Sequence, residues 1–527
     1  MKDDSPWAPL RHPPFRALWI AAIVVNLSMW MQNIGAAWRM TELEPDSPLM
    51  VSLVQTAMAL PTFLLGLPSG VLADMVNRRR FLIITQSCSL ASAALLTALA
   101  YGGVMGSWLL LGLTFALGTS NAFAMSAWVA SNIDSAPKGQ IPASIALSTV
   151  TPNIARVVGP AVAGALIAVA GTPTLFALVT LGFLLSLLLL RAMPDSTARP
   201  SLPPERMWNG IRSGLRYMRH STQIRQTLRL VFVFVTAGSG IWALLPLVAR
   251  EQLGLGPGGF GLLLGSLGVG AVVAALQIAR FYKRFSVRRI VTIGALTFAA
   301  VTALIPFVTD IALTCALLAI GGMAWMAVNT SSGTVIQTSA AAWVRARVAS
   351  VYLLVIMGAM AAGGVLWGAV AERAGVAGSL WIAAACIVVG LMLTGRAHMH
   401  LGSENDFGTV EGAALDCVSA AAETLDHNAG PVAVEIRYSI RAEHHENFIA
   451  VARELGLARK RNGAIAWRLY RDLEHPEQQI ERFLVDSWLD YLRQRDRITR
   501  RDQELEEQLL ALSHDGRSET RRYIAEA

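Results

Sequence analysis

The feature that most constrains this chain is a series of apolar segments, each long enough to cross a lipid bilayer. A membrane-spanning helix needs about 20 largely apolar residues, and such segments recur from Arg16 to Arg396. We predict twelve spans in two groups of six, at 16–38, 49–73, 80–102, 107–133, 143–170, 173–191, 228–249, 259–281, 289–308, 311–336, 346–371 and 377–395. The sequence therefore predicts an all-α polytopic membrane protein over this region, in two six-helix bundles.

Composition agrees with this prediction and excludes other classes of protein. Only 15% of the 527 residues are charged, against roughly 25% in soluble domains. The net charge of +8 comes largely from arginines in short loops between apolar segments, so it does not indicate a nucleic-acid partner. The four cysteines have neither paired nor metal-ligand spacing. We expect no cofactor and no metal.

The loops alternate in positive charge. One set holds Arg78 to Arg80, Lys138, Arg191 to Arg229, Lys283 to Arg289, and Arg345 with Arg347, whereas the loops at 44–46, 102–106, 171–173 and 310 are nearly free of positive charge. Loops rich in lysine and arginine stay in the cytoplasm. The pattern predicts that both termini are cytoplasmic.

We divide the chain into an N-terminal bundle (1–191), a linker (192–227), a C-terminal bundle (228–396), a second linker (397–430) and a soluble domain (431–527). In the first linker, Ile211, Leu215 and Met218 repeat at helical spacing, and a second stripe of Arg212, Arg216 and Arg219 follows one residue later. This pattern predicts an amphipathic helix. It either lies on the inner leaflet or serves as a plain connector.

A motif follows the second span. Gly70, Asp74, Asn77 and a basic run of Arg78, Arg79 and Arg80 lie within eleven residues, and they resemble the loop motif of the major facilitator superfamily. Asp74 can pair with a cation or with a helix N-terminus, so we predict that it is a conformational latch to Arg345 and Arg347. The three arginines can alternatively be ordinary positive-inside residues. Asn77 replaces the usual turn glycine and tolerates the left-handed conformation.

The fifth span contains Asn153, Arg156, Gly159, Pro160 and Gly164. The glycines and the proline predict a bend and tight helix packing. An arginine inside the membrane should face a cavity or a partner, unless it reaches back to the aqueous surface from a position near the end of the span.

Taken together, residues 10–396 resemble the enterobactin-exporter-like branch of the major facilitator superfamily. The resemblance is based on Phe15 to Trp19, Trp30 to Asn33, the Gly70 motif and the element around Pro160. It implies alternating access and proton-driven export in a bacterial inner membrane. No acidic residue lies near the middle of a predicted span, so the proton carrier is not identified; Glu42 and Asp74 are candidates by elimination.

Polar residues inside apolar spans are candidates for the transport cavity. The predicted set is Asn26, Gln32, Asn33, Gln55, Asn121, Asn153, Arg156 and Asn329. Each could instead form a hydrogen bond between helices. Two glycine pairs, Gly261 with Gly265 and Gly364 with Gly368, have the spacing of helix-packing motifs.

The tail reads as a soluble α+β domain. Val432 to Ile440 alternate apolar and polar, a helix follows, strands are predicted near Trp467 and Phe483, 487–512 reads as one helix, and a short strand ends near Ile524. This β-α-β-β-α-β order is similar to ferredoxin-like domains of the antibiotic-biosynthesis-monooxygenase type. We hypothesise an interaction or regulatory module, with a homodimer through this domain as one form.

The sequence is compatible with three functions. The leading hypothesis is a proton-coupled exporter, not an enzyme, of a small amphipathic molecule such as a siderophore or drug, with the lipid bilayer and protons as its other partners. The first rival is an importer or metabolite permease, for which Arg156 is the one hint. The second is a membrane-tethered oxygenase that acts through the tail, with a pocket at His444, His445 and Trp467.

Overall fold

The computed structural model describes residues 7–137, 139–192, 207–341, 343–394 and 429–525, with residues 399, 401 and 426. For 71, 73–75, 133, 207–213 and 515 it describes the backbone alone. The second linker, 397–430, falls almost wholly outside the described residues. The described chain forms a membrane part of long helices and a small domain with one sheet.

Ten helices in the described ranges are long and apolar enough to cross a membrane. The helices of this region are α1 Pro13–Leu43, α2 Pro48–Met75, α3 Arg78–Tyr101, α4 Ser107–Asp134, α5 Ile141–Arg191, α6 Met207–His220, α7 Thr222–Leu247, α8 Pro257–Arg284, α9 Val287–Leu304, α10 Ile311–Thr338 and α11 Arg345–Thr394. The short helix α6 belongs to the linker, and α7 continues as a π-helical turn, Val248–Gln252.

Two helices are each long enough for two passes. α5 has 51 residues and α11 has 50, which at about 1.5 Å per residue exceeds twice the hydrocarbon thickness of about 30 Å. Each contains one glycine with a positive φ, Gly171 (φ 80°) and Gly375 (φ 71°). Because residues with a Cβ rarely adopt this conformation, the glycines mark the turns between passes. Ten helices thus provide the twelve predicted spans, which match to within a few residues.

The first compact unit holds most of the residues of the spans and comprises residues 1–204, 229–332 and 353–396. In its N-terminal half, α5 packs on α1 and α3, while α4 packs on α2 and α3. The two halves meet where α5 packs on α8. Side chains and glycines of α2 also contact α11.

The second unit comprises residues 205–228, 333–352 and 397–527. It contains β1 Val432–Ile440, α12 His445–Asn462, β2 Ala466–Arg471, β3 Gln478–Val485, α13 Trp488–Asp496, α14 Arg500–Leu512 and β4 Ser513–Ile524. The sheet order is β2-β3-β1-β4 and every pairing is antiparallel. This is the arrangement of two interleaved split βαβ units, so the ferredoxin-like prediction is confirmed.

The alternation read in the sequence is the burial pattern of β1. Val432, Val434, Ile436, Tyr438 and Ile440 are all buried, and they pack on Phe448, Ala452 and Leu455 of α12. Burial on one face requires the two-residue period of a strand.

Two details of the tail prediction were wrong. The region 487–512 is two helices rather than one, because Thr499 caps a new helix: its hydroxyl accepts from the Asp502 amide, and the Asp502 carboxylate accepts from the Thr499 amide. A reciprocal cap of this kind starts a helix and so ends the previous one. The last strand is also longer than predicted, with 12 residues, since polar side chains on an edge strand hide its period.

The linker helix α6 is formed where it was predicted. Its residues Tyr217 and Met218 are buried against Ile336 in the last turn of α10, and against Ala340 and Val344 in the segment between α10 and α11. Leu215, assigned by its spacing to the same stripe as Met218, is half exposed. The side chains of Ile211 and Arg212 lie outside the described residues.

Candidate functional site

Five aromatic rings form a cluster inside the first unit. They are Trp30 of α1, Phe234 and Trp242 of α7, Phe298 of α9, and Trp325 of α10. Neighbouring ring centroids are 5.3 Å apart for Phe234 and Trp325, 6.0 Å for Trp242 and Trp325, and 6.5 Å for Trp30 and Trp242. The last pair joins the N-terminal half to the C-terminal half.

Arg156 lies at the edge of this aromatic cluster. Its guanidinium carbon is 5.9 Å from the centroid of a Trp30 ring, and its Nη1 is 4.0 Å from the Met326 sulfur. Gly159 lies one turn further along α5 and allows Trp30 to come close, because a Cβ at Gly159 would be 2.7 Å from the Trp30 Cβ. A cation held over an aromatic face in a dry environment is stabilised by the ring quadrupole.

Gln32 and Trp242 are among the side chains in the spans that have buried polar atoms without hydrogen-bond partners among the described residues. Gln32 of α1 is fully buried, with its amide nitrogen and oxygen both unbonded, and the Trp242 indole N–H is also unbonded. An unpaired buried polar group costs about 1–3 kcal/mol. These groups are therefore available to a bound molecule or to water.

Four of the remaining predicted cavity residues form hydrogen bonds of two kinds. Asn26, Asn153 and Asn329 donate to carbonyls four residues earlier in their own helices, at 2.8, 3.0 and 2.9 Å. Gln55 instead donates across the halves to the Met360 carbonyl of α11, at 3.2 Å. The structure gives Asn33 and Asn121 as partly buried.

Glycines bring the two halves into backbone contact. A Cβ at Gly164 of α5 would be 2.8 Å from the Gly261 Cα of α8, and one at Gly261 would be 2.6 Å from the Pro160 carbonyl oxygen. Gly265, predicted to pair with Gly261, has open space at its Cβ position. The packing role of that pair is therefore carried by Gly261 and not by Gly265. Gly159 and Gly164 act through close approach.

A second line of contact joins α2 to α11. A Cβ at Gly368 would be 2.9 Å from the Leu49 Cα, and one at Gly364 would be 3.0 Å from the Ser52 carbonyl oxygen. Beyond the helix end, the Ser47 hydroxyl donates to Glu372 at 2.9 Å. The charge-poor loop at 44–46 adjoins these contacts, so the halves are closed together at the end of the bundle opposite the arginine-rich loops.

At the opposite end, the arginines of the Gly70 motif join helix ends within the N-terminal half. Arg78 forms an ion pair with Asp134 at the end of α4, at 2.5 Å. Arg79 donates to the Leu190 and Arg191 carbonyls at the end of α5, at 3.1 and 2.6 Å. These arginines thus have structural partners as well as charge.

The turn before these arginines differs from the prediction. Asn77 has φ −56°, so it is not left-handed, and its side chain caps α3 by accepting from the Arg80 amide at 3.1 Å. Gly70 lies close to Ser126 of α4.

The latch prediction stays a prediction. The Asp74 side chain lies outside the described residues, and Arg345 and Arg347 belong to the second unit. Glu42, the other candidate acid, accepts from the Trp38 indole N–H at 3.0 Å and from Arg39 at 2.6 Å.

Sequence reasoning identified Arg156 but missed the rings around it. The signal was present in the 14 tryptophans of the chain, a residue that is rarely fully buried and that needs a partner for its N–H. Aromatic residues in an apolar span do not stand out by hydropathy, however, and three helices must meet before Trp30, Trp242 and Trp325 become neighbours.

Comparison with known proteins agrees with this architecture. The profile of a family described as transmembrane secretion effector, within the major facilitator superfamily, matches residues 4–527. The multidrug efflux pump Tap of Mycobacterium tuberculosis is 26% identical over 397 residues, which are 69% of this chain and 88% of that protein. The staphyloferrin A transporter of Staphylococcus aureus is 23% identical over 269 residues, 50% of this chain and 66% of that protein.

Solved transporters share the fold at low identity. A POT family transporter in complex with a thioalcohol-conjugated peptide has a TM-score of 0.60 at 12% identity, covering 72% of this chain and 95% of its own. The nucleoside transporter NupG has a TM-score of 0.58 at 13% identity, covering 73% and 98%.

The match to the whole chain, the twelve passes in two halves and the shared fold give one assignment. This chain belongs to the transmembrane secretion effector family of the major facilitator superfamily, and it is a secondary transporter.

Proposed function

We propose that this transporter exports a small amphipathic molecule that carries an aromatic ring and a negatively charged group. The observation that carries the proposal is Arg156, which lies over Trp30 at the edge of the aromatic cluster. A siderophore or a drug with an acidic aromatic group has this chemistry.

The charge of the cargo follows from the contacts of Arg156. Its described contacts are an aromatic ring and a thioether sulfur, with no carboxylate among them. A partly buried cation with no carboxylate among its described contacts attracts an anion, because the dielectric around it is lower than that of water. A planar guanidinium can also bind a carboxylate through two parallel hydrogen bonds.

The rest of the site fits the same molecule. Trp242 and Trp325 offer aromatic faces on which a ring of the cargo can stack. Each such ring pair contributes about 0.5–1.5 kcal/mol to binding. The unbonded Trp242 N–H would orient a polar atom of the cargo. Few, well-placed polar groups in an apolar site are typical of small-molecule recognition.

Export is favoured over uptake by the named relatives. The Tap protein is described as an efflux pump, and it shares most of its own length with this chain. The proton gradient is the proposed energy source, with Glu42 or Asp74 as the carrier. Uptake is the alternative direction, and the experiment below separates the two.

The orientation and the latch complete the proposal. The arginine-rich loops support cytoplasmic termini in a bacterial inner membrane, and the contacts between halves then close the outer face. In the opposite state, Asp74 would pair with Arg345 or Arg347 and close the inner face. Asp74→Asn should fold normally and lower the turnover rate, and unchanged turnover would contradict the latch.

The test compares two fluorescent aromatic dyes of opposite charge in cells that express the intact protein. We expect the protein to lower accumulation of the anionic dye, a protonophore to abolish that effect, and the cationic dye to respond less. Arg156→Gln should remove the preference for the anion. Arg280→Gln is the matched control, because it removes one exposed arginine at the end of α8.

The outcomes decide between the hypotheses. Higher accumulation of the anionic dye would mean uptake rather than export. An equal response to both dyes, unaffected by Arg156→Gln, would refute the role of Arg156 in selecting the cargo.

A further inference from the structure

The ferredoxin-like domain presents two arginines that lie over aromatic rings outside that domain. The Arg461 guanidinium, at the end of α12, is 5.5 Å from the Tyr217 ring of α6. The Arg497 guanidinium, between α13 and α14, is 4.1 Å from the Trp343 ring. All four residues belong to the second unit, so the domain is docked on the linker helix and on the segment between α10 and α11.

Arg461 is held in place by the start of α14. It forms an ion pair with Asp502, and Asn462 donates to the same carboxylate at 2.9 Å. Burial alone would lower the pKa of Arg461, but the charge of Asp502 outweighs it and raises that pKa. The arginine therefore stays charged beneath the ring of Tyr217.

The two rings that face these arginines, Tyr217 and Trp343, are also held in place by their own contacts. Tyr217 and Trp343 meet edge to face at 5.6 Å. The Tyr217 hydroxyl accepts from the Ala341 amide at 3.2 Å and donates to the Ser339 carbonyl at 3.4 Å. The linker helix and the segment after α10 thus form one aromatic surface that faces the two arginines.

The docking is opposed by its own charges. Burial, and then the charges of Arg493, Arg216 and Arg347, lower the pKa of Arg497 to about 10. Arg493 and Arg497 of the domain therefore lie near Arg216 of the linker helix and Arg347 at the start of α11, and these like charges repel each other. Asp490 offsets part of this repulsion, and the aromatic contacts hold the domain against the rest.

We propose that the ferredoxin-like domain is a releasable clamp, whose Arg461 and Arg497 bind Tyr217 and Trp343 and so restrain the segment between α10 and α11. Alternating access needs the helices of one half to move relative to the other. While docked, the domain holds the joint between α10 and α11; once released, it frees both helices. This inference rests on the proposed function for its effect on transport, and on the contacts alone for the docking.

The docking is tested by hydrogen exchange on the full-length protein in lipid nanodiscs. Arg497→Ala should raise the rate of amide exchange in 214–220 and 338–344 on the order of tenfold. This is the change expected when the free energy of a desolvated cation–π contact is lost. Trp343→Leu removes the ring without changing the domain and should give the same result. Arg468→Ala removes an exposed arginine of β2 and should leave exchange unchanged.

Exchange in 432–440 reports whether the domain remains folded in each variant. Unchanged exchange in 214–220 and 338–344 for both Arg497→Ala and Trp343→Leu would overturn the docking, whatever the protein transports.

The effect on transport is a separate measurement. Arg497→Ala should raise the initial rate of dye efflux several-fold over the Arg468→Ala control. An unchanged or lower rate, together with raised exchange, would refute restraint by the clamp. If the wild-type protein moves neither dye, the proposed cargo fails while the exchange result still decides the docking.

Discussion

Replacing Gly261 with alanine should break the contact between the two halves of the transporter. The new Cβ would lie 2.6 Å from the Pro160 carbonyl oxygen and 2.9 Å from the Gly164 Cα. Both are backbone atoms, so neither can move away by a change of rotamer. Ordinary van der Waals contact lies well beyond these distances, and α5 and α8 must therefore separate by a substantial fraction of an ångström.

The cost falls on the state in which these helices touch. Adding one carbon to a well-packed interface costs typically about 1–3 kcal/mol. When the cost is confined to one of two conformations, it shifts their ratio by about 5–150-fold. We expect Gly261→Ala to fold, to favour the state in which α5 and α8 are apart, and to lose most of its transport.

A disulfide can report on the contact. A Cβ at Gly258 would be 3.6 Å from the Ala168 Cβ, within the range of about 3.5–4.5 Å that a disulfide requires. Cysteines at these two positions should therefore cross-link in the otherwise unchanged protein, after removal of the native cysteines. Adding Gly261→Ala should lower the cross-linking yield.

The control is Gly265→Ala in the same helix. A Cβ at Gly265 meets no atom within 4 Å, so both the cross-linking yield and transport should be unchanged. Equal effects of the two substitutions would mean that helix propensity, and not the contact, is responsible. Normal cross-linking in Gly261→Ala would refute the steric reasoning.

Three more predictions follow from single contacts. Arg156→Lys keeps the charge but loses the planar face over Trp30, so the KM for the anionic dye should rise about 3–10-fold with a smaller change in the maximal rate; an unchanged KM would remove the stacking role. Arg78 and Asp134 form a partly exposed ion pair, and a double-mutant cycle on thermal stability should give a coupling of at most about 1 kcal/mol that falls with added salt; a salt-independent coupling would disagree. Burial would raise the pKa of Asp502, but the Arg461 charge and hydrogen bonds outweigh it and lower that pKa. The stability that the Asp502 carboxylate contributes is therefore present above about pH 4 and is lost as pH falls through the folded-state pKa. Hydrogen exchange in 459–462 should rise on acidification, and it should rise less in Asp502→Asn.

The sequence was sufficient for the spans and for the strands. Twelve apolar segments must be helices, because the bilayer offers no other partner for their backbone groups. Residues 432–440 must be a strand, because only a two-residue period buries Val432, Val434 and Ile436 together. Both inferences depend only on the hydrophobicity and period of residues that are close together in the sequence.

Partners far apart in the chain were not predictable in the same way. Gly261 and Gly265 are both glycines and were predicted to act as one packing pair, yet of the two only Gly261 meets another helix. The polar residues were chosen for their depth in a span, but Asn26, Asn153 and Asn329 bond to their own helices. Which face of a helix meets a neighbour depends on its rotation, and apolar spans lack the amphipathic pattern that would reveal it.

By itself, then, the sequence determined the class of protein, its number of passes and the topology of its tail, since all of these follow from local hydrophobicity and period. Only the tertiary structure decided that Arg156 lies beside Trp30, and that Arg461 and Arg497 meet Tyr217 and Trp343. These pairs are separated by more than a hundred residues of chain, and their contact energy exists only after the helices between them have packed.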